Sequence, residues 1–327
     1  MTEPIRWGIL GTGSIAHTFA TGLSLIPDAE LAAVGSRSAE TAAAFADEFD
    51  IPRRHASYED LAADREIDVI HVSTPHPMHK ANSILCLEAG KPVLCEKPFT
   101  VNAAEADEVI ALARSRGLFL MEAMWTRFLP IVVQVREWLA EGAIGEVSMV
   151  VADVGFRAGF DPKSRLFDPQ LGGGALLDIG IYPLSFVSMV LGPHPTRIET
   201  MATLGETGVD EANATILGYA EGQLALIYSA VRTKTPMETS IAGTEGTIVI
   251  HPPYIPCTSA TLKAGDREEH LDLRPDGRGL KYQALEVMAC LRAGKLESDV
   301  MPLDETRGIV AIMDQLRQRW GLKYPME

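Results

Sequence analysis

The chain has 327 residues, of which 46% are hydrophobic and 22% charged, with a formal net charge of −15 at pH 7. A single hydrophobic core usually stops growing beyond roughly 250–300 residues, so two domains are expected. The acidic balance and the lack of any Lys/Arg run argue against a nucleic-acid or anionic-membrane surface and leave a small molecule as the expected partner.

Cys86, Cys95, Cys257 and Cys290 have no metal-ligand spacing, and reduced, packed thiols in a cytoplasmic protein are expected. Ile5 already opens a core strand, so no cleavable leader is expected; no apolar stretch is expected to span a bilayer.

In chain order, the apolar run Ile5–Leu10 turns through Gly11-Thr-Gly13-Ser14-Ile15-Ala16 into a helix over residues 17–25. Gly11 permits the tight turn, Gly13 lets the backbone approach a pyrophosphate, and Ala16 stands in for the third small residue. The N–H groups of Ser14 and Ile15 then face the anion at the helix N-terminus. Short apolar runs at residues 31–35, 69–73, 93–95 and 119–121 read as buried parallel strands. Helical patterns at Ala39–Glu48, residues 78–89 and Ala103–Arg116 lie between them, so the expected fold is α/β with a doubly wound Rossmann sheet over residues 1–123. Ser38 and Asn102 stand at N-cap positions, and Gly90 and Gly117 at C-caps.

Residues 124–327 read as an α+β domain for substrate binding and oligomerisation. A helix over 128–139 and a strand over 147–154 precede a glycine-rich stretch that leads into another helix. Strands at 198–204, 212–219, 224–231, 238–242 and 247–250 predict a large, mostly antiparallel sheet, and helices over 280–293 and 304–320 close the chain. Leu224, Leu226 and Tyr228 alternate toward a sheet face that the helices are too few to cover, which predicts a homodimer or higher homo-oligomer. A ligand cleft between the domains is expected.

The second strand ends in Ser36-Arg37-Ser38, where an acidic residue would bind the ribose hydroxyls of NAD. A guanidinium pairs with a 2′-phosphate instead, so NADP is favoured, with NAD still possible; a solvated Arg37 beside a capping Ser38 is the plainer alternative. Ser73-Thr74-Pro75-His76-Pro-Met-His79 lies at the carboxyl edge of the sheet, where ligands bind. His76 and His79 are three residues apart, but no third ligand lies nearby in sequence, so hydrogen bonding to the nicotinamide ribose or substrate is expected rather than a metal. Glu96-Lys97-Pro98 follows the next strand, placing Glu96 at the cofactor and aiming Lys97 toward it; a surface cation is the plainer alternative for Lys97. Asp178 and Tyr182 are four residues apart, hence on one helix face, although Pro183 biases Tyr182 away from helical geometry, and a half-buried packing residue is the plainer alternative for Tyr182.

These segments resemble the Gfo/Idh/MocA family of oxidoreductases over nearly the whole chain: Gly11-x-Gly13, Ser73-Thr74-Pro75, Glu88-Ala-Gly-Lys-Pro-Val-Leu-Cys-Glu-Lys-Pro98 and Gly-Gly-x-x-x-Asp178. Tyr182 replaces the histidine many members carry there. Together with Glu122-Ala-Met-Trp125-Thr-Arg127-Phe and Arg165-Leu-Phe-Asp-Pro169, it is similar to the branch with dimeric dihydrodiol dehydrogenases and NADP-dependent D-xylose dehydrogenases. The resemblance implies Tyr182 as acid/base, a catalytic or cofactor-positioning role for Lys97, and a substrate pocket with Trp125 and Arg127. Phe156 adds a flat apolar surface for the C–H face of a sugar or diol, or simply packs in the core.

Hydride transfer from an alcohol needs a base, and lowering a phenol pKa from about 10 toward 7 takes roughly 4 kcal/mol, close to what one cation at about 4 Å supplies at an effective dielectric near 20. Asp178 either orients Lys97 or binds a substrate hydroxyl. The expected reaction is hydride transfer between NADP and a secondary alcohol or lactol of a sugar, cyclitol or trans-dihydrodiol. A non-catalytic dinucleotide-binding regulator, or a glycosidase that uses the nicotinamide transiently, stands as the alternative.

Overall fold

The computed structural model describes residues 3–327. The chain divides into two compact units, one of Met1–Trp125 with Gly277–Arg307 and one of Thr126–Asp276 with Gly308–Glu327.

In the first unit, β1 (Ile5–Leu10), β2 (Ala29–Gly35), β3 (Arg53–His55), β4 (Val69–Val72), β5 (Val93–Glu96) and β6 (Leu120–Ala123) form a six-stranded sheet in the order β3-β2-β1-β4-β5-β6. All its pairs are parallel. Helices α1 (Ser14–Leu23), α2 (Ala39–Glu48), α3 (Tyr58–Ala63), α4 (His79–Glu88) and α5 (Ala103–Arg116) connect the strands. Trp7, Ile9, Val69, Val72, Val93 and Leu94 are fully buried, as strands covered on both faces require. The order reverses between β1 and β4, which opens a crevice at their carboxyl ends. The expected caps form: Ser38 Oγ accepts from Thr41 N at 3.3 Å and Asn102 Oδ1 from Glu105 N at 3.0 Å.

Sequence reading missed β3 and α3, each too short to carry a period of its own. It also placed residues 277–307 with the second domain. Here α8 (Lys281–Arg292) packs on α1, where Gly22 leaves room for the Lys281 backbone, and Arg292 pairs with Asp28 at 2.8 Å. Leu120 N donates to Leu296 O at 3.0 Å and Arg307 Nε to Asp107 at 3.0 Å, so this returning segment borders the sheet beyond β6.

In the second unit, α6 (Pro130–Ala140) is followed by β7 (Val147–Gly155), a wide helical turn at Leu176–Gly180 and α7 (Ile181–Leu191). Strands β8 (Arg197–Leu204), β9 (Asp210–Gly218), β10 (Leu224–Ala230), β11 (Thr239–Gly243), β12 (Gly246–Ile250), β13 (Ser259–Ala264) and β14 (Arg267–Asp272) complete an eight-stranded sheet. Its order is β14-β13-β12-β11-β7-β10-β9-β8, antiparallel except for the β7/β10 pair. The β13/β14 hairpin escaped the sequence reading because Lys263, Arg267, Glu268 and Glu269 interrupt its apolar pattern. The last helix, α9, spans Leu303–Trp320.

The helical run Pro169–Leu191 does have the length and apolarity of a bilayer span, contrary to the sequence expectation, but 83% of its apolar window is buried inside the protein against β7 and β10. It is the core helix of the second unit.

Candidate functional site

A cleft of about 540 Å³ at the carboxyl edge of the first unit's sheet brings together Gly11, Gly13, Ser36, Arg37, Ser38, Ser73, Thr74 and Pro75, all expected from the sequence at the cofactor. Thr12, Thr41 and Tyr58 complete the lining and were not anticipated as ligand groups. Thr41 donates its N–H to the capping Ser38, and Tyr58 opens the short helix α3.

Gly11 has φ +106°, and a Cβ there would crowd the Ser73 carbonyl at 3.1 Å. A Cβ on Gly13 would instead meet nothing within 4 Å, so the backbone borders open space where a pyrophosphate fits. Gly13 caps α1 without a side-chain hydrogen bond, which leaves the N–H groups of Ser14 and Ile15 to an outside acceptor. Ser36 Oγ lies 2.6 Å from Thr41 Oγ1, and Arg37 beside them is exposed, hydroxyls and guanidinium converging where an adenosine 2′-phosphate would sit. The donor set fits a nicotinamide dinucleotide.

Further along the same edge, Lys97 follows β5, half-buried, and its peptide bond to Pro98 is cis. The turn is held from two sides: Phe99 N donates to the fully buried Glu122 Oε1 at 3.0 Å, and His79 Nδ1 lies 2.7 Å from Pro98 O. His79 Nε2 lies 2.7 Å from Thr74 O, so both ring nitrogens are occupied by backbone carbonyls. Burial pulls the His79 pKa below its ordinary value, against the two carbonyls and Glu96, which favour the protonated ring. His79, expected at the cofactor or substrate, therefore clamps the β4 and β5 turns to each other through its ring. His76 sits half-buried in the short turn before α4, its ring 5.8 Å from that of His79. Among the described residues no three His, Cys, Asp or Glu side chains are grouped to hold a metal.

Glu96, expected on the cofactor, instead accepts from His71 Nε2 at 3.0 Å inside the sheet, where His71 stacks on Phe19 at 3.9 Å. It braces the base of the lysine turn. Trp125 is buried at the end of this unit's first segment.

In the second unit, Asp178 and Tyr182 are both buried, and Arg165 Nη1 donates to Asp178 Oδ1 at 2.6 Å from a mostly exposed side chain. The segment from 176 is not a plain α-helix: Ile181 N donates to Leu176 O, one residue further back than usual. A proline lacks the N–H and its ring clashes with the carbonyl four residues back, so a wide turn ahead of Pro183 lets the helix pass through it without breaking. The wide turn shifts the phase between Asp178 and Tyr182 that a regular helix would give them.

Arg127, expected in the substrate pocket, is buried and reaches α7: Nε donates to Ser185 Oγ at 2.9 Å and Nη2 to Ser185 O at 2.6 Å. It fastens the helix that carries Tyr182. Phe156 is half-buried just past β7. Farther along, Phe160 and Phe167 pack edge to face at 5.1 Å beneath Arg232.

A Rossmann unit whose glycine loop, basic ribose corner and braced lysine share one sheet edge, in a chain with a large open-sheet unit, defines a nicotinamide-dinucleotide-dependent oxidoreductase. The chain belongs to the Gfo/Idh/MocA family: residues 5–124 match its oxidoreductase domain with an NAD-binding Rossmann fold, and residues 132–249 match its C-terminal domain. It is 39% identical to the trans-1,2-dihydrobenzene-1,2-diol dehydrogenases of Bos taurus and Homo sapiens, over 99% of this chain and 99% of each relative. Among solved structures it resembles a 3-ketoreductase from Actinomadura kijaniata in complex with NADP and TDP-benzene, with TM-score 0.82 and 26% identity over 97% of this chain and 98% of the other. An aldose-aldose oxidoreductase from Caulobacter crescentus shares the fold at TM-score 0.87 and 23% identity, over 97% of each chain.

Proposed function

We propose that this enzyme transfers a hydride between NADP and a secondary alcohol or lactol of a sugar, cyclitol or trans-dihydrodiol. The observation that carries the reading is the convergence of the glycine loop with Ser36, Arg37 and Ser38 on one cleft, in a chain matched end to end by dihydrodiol dehydrogenases. Arg37 and the neighbouring hydroxyls favour the 2′-phosphate of NADP, whereas a carboxylate at that corner would repel it.

The nicotinamide, when bound, supplies the hydride acceptor; the chain supplies the proton chemistry. In this reading Tyr182 takes the substrate hydroxyl proton on its phenolic oxygen, and the Lys97 ammonium stabilises the phenolate. Asp178, anchored by Arg165, orients a substrate hydroxyl or Lys97. Trp125 and Phe156 offer apolar surfaces to the substrate ring.

A homodimer through the open face of the eight-stranded sheet belongs to the same proposal. Met149 on β7, Leu224 on β10, Ile216 on β9 and Met201 on β8 lie on four neighbouring strands and are 39, 41, 46 and 79% exposed. An apolar stripe of this kind is what an isologous interface covers. Four free, buried cysteines fit a cytoplasmic setting.

The test is an ultraviolet assay of NADPH formation across aldoses, inositols and trans-diols. Turnover of at least one substrate with net NADPH is expected. Tight NADPH binding without turnover of any alcohol would make the chain a regulator, and substrate loss without net NADPH would make its use of the nicotinamide transient.

A further inference from the structure

Asp210 opens β9 and is completely buried. Its Oδ2 accepts from Leu176 N at 2.9 Å and from Asn213 Nδ2 at 2.8 Å, while Oδ1 has no hydrogen-bond partner among the described residues. Oδ1 lies against Gly174, whose φ of +115° and missing side chain make the approach possible; a Cβ there would collide with that oxygen. Asn213 Nδ2 also donates to Ser229 Oγ at 2.9 Å, on the paired strand β10. Ser229 Oγ sits where a Cβ on Gly180 would meet it at 2.8 Å. One polar chain, Asp210–Asn213–Ser229, therefore touches the helical turn at its first residue, Leu176, and at its last, Gly180.

Nothing in the packing demands an acid here. A buried carboxyl with one unsatisfied oxygen is destabilising, and an amide of the same shape would keep the acceptor with a smaller penalty, whereas an apolar side chain would orphan the Leu176 N–H. What the acid does supply is an acceptor for an otherwise unpaired N–H at the start of a wide, irregular turn, and that turn holds Asp178 and runs directly into Tyr182. Small displacements of a proton-transfer group slow a reaction sharply, so a fixed turn matters most for the groups it aims.

We propose that Asp210 is a positioning residue for the reaction: with Asn213 and Ser229 it pins both ends of the wide turn and so sets the directions in which Asp178 and Tyr182 project. The proposal rests on the reading of Tyr182 as acid/base given above.

The test measures kcat, substrate KM, the NADPH dissociation constant and amide hydrogen exchange over residues 172–184 in the full chain. The variants are Asp210→Ala, Asp210→Asn, Gly180→Ala, Tyr182→Phe and Asp210→Ala/Tyr182→Phe. For Asp210→Ala a roughly 10- to 100-fold loss of kcat is expected, with KM changed by less than about threefold, unchanged NADPH binding and faster exchange in the segment. Asp210→Asn keeps an acceptor for Leu176 N and should recover most of kcat. Gly180→Ala pushes the turn off Ser229 from the opposite side and should reproduce the kcat-selective loss, so the test stands even where Asp210→Ala does not fold. The double variant should be little slower than Tyr182→Phe alone. Normal kcat in Asp210→Ala or Gly180→Ala beside a crippled Tyr182→Phe overturns the positioning role and leaves the acid/base reading intact, as do losses that multiply in the double variant. Normal kcat in Tyr182→Phe overturns both.

Discussion

Asp210→Asn should change how the stability of the protein depends on pH. Burial pushes the Asp210 carboxyl up from 3.8 to about 7, against the pull of Asn213, the Leu176 N–H and the Arg317 charge. Arg317 is itself paired with Asp314 and Glu327, and the neighbouring Tyr324 hydroxyl, held against Gly173 O at 2.6 Å, is raised well above its ordinary value by burial and in part by Asp210. A carboxyl whose folded pKa lies above its unfolded one binds its proton more tightly in the native state. Its contribution is fully kept below pH about 4 and is lost as pH rises toward 7, because the unfolded chain has then released a proton that the folded chain must take up again to keep the buried carboxyl neutral. Between the unfolded and folded pKa values, stability falls by about 1.36 kcal/mol for each step of one in pH, so about 3 kcal/mol should disappear between pH 5 and pH 8. The amide in Asp210→Asn has the same shape and no ionisation, so the variant should gain that amount relative to wild type across the interval. Urea unfolding of both proteins, followed by far-ultraviolet circular dichroism at several pH values, reads the difference directly, and other titrating groups cancel. Asp64, held down to about 2 by Arg53, the Glu66 N–H and His55 despite its desolvation, titrates outside this window and in both proteins alike. Parallel pH curves for the two proteins would refute the reasoning.

Arg37→Asp should lower kcat/KM for NADP by roughly 10- to 100-fold, the worth of a charge-assisted phosphate contact, and raise it for NAD; an unchanged ratio would remove Arg37 from the 2′-phosphate site. Tyr182→Phe should reduce kcat by about 10²–10⁴-fold while NADPH binding, followed by fluorescence, is retained. Lys97→Met should do similar damage, and the double variant should lose far less than the product of the two, because groups acting as one unit are not additive. Met201→Lys together with Leu226→Lys should convert a dimer to a monomer in light scattering without loss of helix content; a wild-type protein already monomeric at micromolar concentration would dismiss the interface.

How much of this was legible in the chain depends on whether backbone or side-chain chemistry carried the signal. The Rossmann strands stand out because they are covered on both faces and read as continuous apolar runs, and the glycine loop stands out because Gly11 needs a left-handed φ that other side chains rarely adopt. The return of residues 277–307 to the first unit is invisible to any local pattern, since Arg292–Asp28 and Leu120–Leu296 are pairings between distant segments whose own periodicities are complete without them. Titratable side chains mislead in the opposite direction. His79 and Glu96 carry groups an active site uses and stand beside its motifs, and both hold partners within the fold: two carbonyls and a histidine. Asp210 gives no signal at all, because an acid in Thr-Gly-Val-Asp-Glu reads as the edge of a turn. What makes it notable is a glycine thirty-six residues earlier that leaves room for its oxygen. Residue type states which proton chemistry is possible; only the neighbouring atoms decide whether that capacity faces a ligand or is consumed in holding the groups that do.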